Sequence, residues 1–211
     1  MTYVKASVRR PAGNPGNGIQ PKDQLVIYDV DDILSFPQRN EAGVVIEDDI
    51  VMKEGRYAIG IYLTPGTAEI SSNSDGETDA EGYTPSIKFN HPGNQQEIRE
   101  FKTNWLTKKC IVVLRYCSGK PADLIGTPCN PCKLSVSYTG SNESNTNELT
   151  FTQISKGDDI AIYQGTDTLE EPVAVVEAKA TDITYQTDGQ YQLSAGEAKI
   201  ASVTGGSHGS V

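Results

Sequence analysis

Apolar residues along this chain come in short alternating or clustered stretches, and the longest uninterrupted runs, at 110–114 and 173–176, are only four or five residues. Period-two alternation and β-branched or aromatic enrichment predict strands at 25–30, 57–63, 68–72, 83–89, 110–116, 134–138, 149–154 and 159–163. Further short strands are expected at 173–176, 183–185, 191–193 and 199–203. The stretch 44–52 reads as a strand interrupted by Glu47-Asp48-Asp49. One segment departs from this pattern. Ile98, Phe101, Trp105 and Leu106 fall at helical spacing, after Pro92-Gly93 and a start resembling a capping box at Asn94 and Glu97. Lys108 and Lys109 close it favourably for the helix dipole, so a helix is predicted over 94–109 with Trp105 as a core anchor.

The connections sharpen this picture. Residues 11–22 hold three Pro and three Gly, which exclude helix and central strand, so 1–22 is expected to be an extended arm. Thr64-Pro65-Gly66-Thr67 is a turn, and the polar stretch 71–82 lies between two strands, making 66–89 a hairpin with a long acidic tip. The glycine- and proline-rich stretch 117–131 reads as a connection, and 204–211 as a polar tail. Some ten short strands around one helix give a mainly β fold: an antiparallel sandwich or barrel-like sheet, as one domain over 23–203. No run is long enough to cross a bilayer, and the first ten residues have no apolar core of a secretory signal.

Charge adds a second pattern. The 211 residues carry 18 basic and 28 acidic side chains, a net charge of −10, which argues against a general basic grip on nucleic acid. The sign alternates by segment: +4 over 1–22, −11 over 23–81, +5 over 82–120 and −8 over 121–211. Such alternation suits opposite surfaces that meet copies of the same chain. Lys5, Arg9 and Arg10 of the arm and Asp75, Glu77, Asp79 and Glu81 of the hairpin are the candidate inter-subunit residues.

Candidate chemistry is sparse. The Cys129–Cys132 pair invites a redox or zinc reading, but a strand-like run follows it where thioredoxin chemistry needs a helix. Cys110 and Cys117 are an odd number apart on a strand and face opposite sides, so all four thiols are expected reduced and metal-free. An apolar strand ending in Asp29-Val30-Asp31, with Lys156 and Asp158-Asp159 later, resembles the acidic motifs of haloacid-dehalogenase-like phosphatases, whose Asp-x-Asp works with Mg²⁺. The Gly-Thr that follows the motif in that family is Asp32-Ile33 here, and that fold requires several crossover helices. With two histidines, His91 before a proline and His208 in the tail, a nucleophilic triad has no setting. No catalytic, cofactor or metal residue is assigned.

The order of parts, namely arm 1–22, strands from 25 on, hairpin 66–89 and helix 94–109, resembles the tail-tube and tail-ring proteins of tailed bacteriophages. That resemblance implies a non-enzymatic virion protein assembled in the host cytoplasm. Copies would close into rings, usually hexameric, and stack into or cap a tube. The implied partners are the chain itself, other tail or neck proteins, and DNA in passage without binding. A β-sandwich binding or adhesion module is the alternative, and the phosphatase a second.

Overall fold

The computed structural model describes residues 6–117 and 119–169. They belong to the first of two compact units, 1–170 and 171–211, so the strands expected beyond 170, the domain end at 203 and the tail lie outside the described residues.

Strand β1 (Pro21–Asp29) passes through a 3-10 turn (Val30–Asp32) to three very short strands, β2 (Ile33–Ser35), β3 (Val45–Ile46) and β4 (Val51–Met52), and then to β5 (Ile59–Tyr62). The hairpin is β6 (Glu69–Asp75) and β7 (Gly82–Pro92), and helix α1 (Gln96–Trp105) follows. The remaining strands are β8 (Cys110–Tyr116), β9 (Ala122–Ile125), β10 (Cys132–Gly140), β11 (Asn145–Gln153) and β12 (Ala161–Tyr163). Ten of these strands form one sheet in the order β3-β12-β9-β8-β10-β11-β7-β6, with β1 bonded to both β8 and β5. All its pairings are antiparallel except β12 with β3, and β2 and β4 make a separate small pair.

The sheet is a sandwich because it turns a corner. The long layer containing β8 and the β10-β11-β7-β6 layer are linked through a single residue pair, Cys132 opposite Cys110. Side chains from both layers meet in one core: Leu25, Ile27, Val112 and Leu114 from one, and Ile87, Phe89, Leu134 and Phe151 from the other. Successive residues of a strand point to opposite faces, so the alternate residues of β1 and β8 need a second cover. Val26, Tyr28, Ile111 and Val113 pack in a separate cluster with Ile46, Ile50, Leu124, Ala161 and Tyr163. Being buried on both faces explains why these two strands read as nearly continuous apolar runs. The β2–β4 pair contributes Ile33 and Met52 to this second cover.

The structure supports the fold class and corrects several details. The helix is shorter than expected: it starts after Gln95, which makes no side-chain cap, and Asn94 instead accepts from Lys102 Nζ at 3.1 Å. It ends at Trp105 because the chain beyond is drawn toward β1, where Lys108 meets Asp29 and the Lys109 carbonyl accepts from Val30 N at 3.0 Å. Ile98 is its buried residue; Phe101 and Trp105, stacked with centroids 5.7 Å apart, are half-buried, and Leu106 is exposed. The arm ends earlier than residue 22, since Pro21 is already in β1, opposite Tyr116. The connection 117–131 contains a full core strand, β9.

Candidate assembly surfaces

The N-terminal arm is exposed at every described position, 6–20. It is tied down at its end, where the Gln20 carbonyl accepts from Cys117 N at 3.0 Å. Val8 is fully exposed, and Arg9 and Arg10 project beside it; Arg10 reaches no further than the Gly13 carbonyl, at 3.5 Å. Lys5 lies outside the described residues.

The hairpin tip is built by register. Asp75 stands opposite Gly82, so the tip proper is 76–81, shorter than the expected loop. Glu77, Asp79 and Glu81 are exposed on it, and Asp79 adopts φ 70°, the left-handed conformation that Asp tolerates in turns. Asp75 has a partner in its own chain: Lys156 Nζ lies 3.2 Å away, and this contact, helped by the Gly76 N–H, holds the carboxyl below its ordinary range. Of the four candidate acids, Glu77, Asp79 and Glu81 are exposed without such an ion pair among the described residues. β6 bonds to β7 along one side only, leaving its other edge as the border of the layer.

A third feature went unnoticed in the sequence. The 36–43 loop and the 127–129 turn enclose an open cavity of about 510 Å³, lined by Phe36, Pro37, Arg39, Glu41, Pro128 and Cys129 with Asp158 at its rim. Arg39 is held by two carbonyls, donating from Nη1 to Gly43 at 3.0 Å and from Nη2 to Asp159 at 2.6 Å. Its Nε is buried with no hydrogen-bond partner, since the nearest carboxylate oxygen, on Asp158, stands 3.9 Å off. Only the fold brings these segments together, because 120 residues separate Arg39 from Asp159.

Several residues of the phosphatase-like motif are engaged in holding the fold, Asp31 through its backbone alone. Asp29 caps the 3-10 turn through Asp31 N at 3.1 Å and accepts from Lys108 Nζ at 2.5 Å; this contact keeps the lysine above its ordinary pKa. Asp32 pairs with Arg56 at 3.4 Å, and Lys53 Nζ meets the Asp31 carbonyl at 2.5 Å. Lys156, the motif's later lysine, is the partner of Asp75. His91 sits edge-on to Tyr62, with Nδ1 2.9 Å from the Tyr62 carbonyl.

The fold separates the two cysteines of the Cys129–Cys132 pair. Cys132 opens β10 and is fully buried with Cys110, whereas Cys117 and Cys129 are exposed, and all four are thiols. Burial, with Asp29 as a lesser cause, pushes the Cys110 thiol up to about 12, and burial raises Cys132 as well, so both are poor nucleophiles. Among the described residues no group of three His, Cys, Asp or Glu could hold a metal ion, and no helix is long and apolar enough to cross a membrane.

No family model, curated protein or solved structure matches this chain.

Proposed function

We propose that this chain is a structural protein of the bacteriophage tail-tube kind, assembling with its own copies into rings that stack or cap a channel for DNA. The observation that carries the reading is that two extensions of opposite sign project from one sandwich without packing on its core. One is the arm with Arg9 and Arg10; the other is the hairpin tip with Glu77, Asp79 and Glu81. An exposed cationic arm and an exposed anionic loop on one chain steer association between copies. The net charge of −10 also suits a conduit, since few lysines and arginines would release counterions and hold the polyanion.

Electron microscopy and light scattering of the purified full chain test this. Rings with a central channel are expected, together with no retardation of DNA in a gel. A chain that stays monomeric at every concentration and ionic strength overturns the proposal.

A further inference from the structure

The cavity beside Arg39 presents two demands, and the arm meets both. Phe36, Pro37 and Pro128 offer apolar wall to a small hydrophobic side chain. Glu41 and Asp158 outweigh the single positive charge of Arg39, so the lining is net negative, which opposes an anionic ligand and favours a cation. In the arm, Val8 is fully exposed, and Arg9 and Arg10 follow directly. A volume of about 510 Å³ falls in the range that encloses a ligand of a few residues' size.

We propose that the cavity between the 36–43 loop and the 127–129 turn receives the N-terminal arm of a second copy. Val8 enters against Phe36 and the prolines, and Arg9 and Arg10 face Glu41 and Asp158. This rests on the self-assembly reading and names its contact. The chain's own arm runs elsewhere, with Asn14, Asn17 and Gln20 beside Cys117 and Lys120. The occupant is therefore assigned to a neighbour.

Cys129 lines the cavity, is exposed, and supplies the probe. The full chain carrying Val8→Cys and Cys117→Ser is prepared with and without ¹⁵N, mixed, assembled and treated with a short bismaleimide. Peptide mapping should find the introduced thiol joined to Cys129 across the two isotopic species. A link confined to single copies, or assembled particles with no such link, overturns the inference and leaves the ring reading standing. Absence of any assembly in the unsubstituted chain overturns both. A second measurement does not depend on cross-linking. The pair Glu41→Arg and Asp158→Arg should raise the concentration needed for assembly about tenfold, and adding Arg9→Glu with Arg10→Glu should restore it. Unchanged assembly in the first variant, or no rescue in the second, counts against the proposal.

Discussion

Tyr28 donates its phenolic hydrogen to Asp167 Oδ1 at 2.7 Å from inside the second cluster, and Arg115 grips the same carboxylate while reaching the Gly165 carbonyl at 2.7 Å. Burial first, and this hydrogen bond second, raise the Tyr28 pKa far above its ordinary value. A folded pKa raised above the unfolded one adds stability that is complete below the unfolded value, about 10, and is lost as pH climbs beyond it. Urea midpoints should therefore fall steeply above pH ~10, and Tyr28→Phe should flatten that alkaline loss while costing about 1 kcal/mol at neutral pH. Trp105 lends itself to a graded comparison. It is half-buried against the first core, so Trp105→Ala should cost about 2 kcal/mol, less than the 3–5 kcal/mol expected for the fully buried Phe151→Ala. Denaturant titration of the two variants checks the order, and acrylamide should quench the native indole to an intermediate degree.

The corner between the layers depends on one glycine. Gly126 has φ 93°, and a Cβ there would sit 3.2 Å from Cys132 Sγ and 3.4 Å from the Cys110 carbonyl. Gly126→Ala meets both the backbone strain and the crowding, and should destabilise by about 1–3 kcal/mol in thermal or urea unfolding. That glycine also shows where sequence patterns stop informing. Strands rich in Val, Ile and Tyr, such as β1 and β8, declare themselves because two buried faces demand an apolar run. β9 hid because Ala122-Asp123-Leu124-Ile125 lies between Pro121 and Gly126, turn residues that suggested a loop. The helix end hid because Leu106 continues the apolar spacing, although the contacts of Lys108 and Lys109 with β1, which stop the helix, are tertiary. Cys132 hides among its turn neighbours because the pairings that place it in a strand, with Gln153 and Cys110, join residues distant in sequence.

For the molecule as a whole, charge segmentation was legible and its use was not. The sequence marks an acidic hairpin and a basic arm, but Asp75 pairs at the surface with Lys156 of its own chain, and the Arg39 cavity unites parts of the chain no motif connects. Because Asp75 and Gly82 face each other, replacing 76–81 with Asn-Gly closes the hairpin with a two-residue turn and keeps the register. Circular dichroism and melting temperature should stay close to the parent's, while ring stacking weakens and loses salt sensitivity. If that variant assembles like its parent at every salt concentration, the tip is only a hydrated loop.

The double burial of β1 and β8 has a consequence for synthesis. Strand β1 emerges from the ribosome early, but its partner β8 lies far later, with Val26 opposite Val113, 87 positions on. The first core has all its strands once residue 153 has emerged; the second waits for β12 and for Leu169. Until then a nascent chain holds Tyr28, Ile111 and Val113 without their full cover, and exposed apolar surface of that kind is what chaperones bind and aggregates grow from. A chain released at residue 155 should accordingly be insoluble where one released after 169 is not. On this account the last strand of the sheet sets the moment at which the protein becomes safe to leave the ribosome.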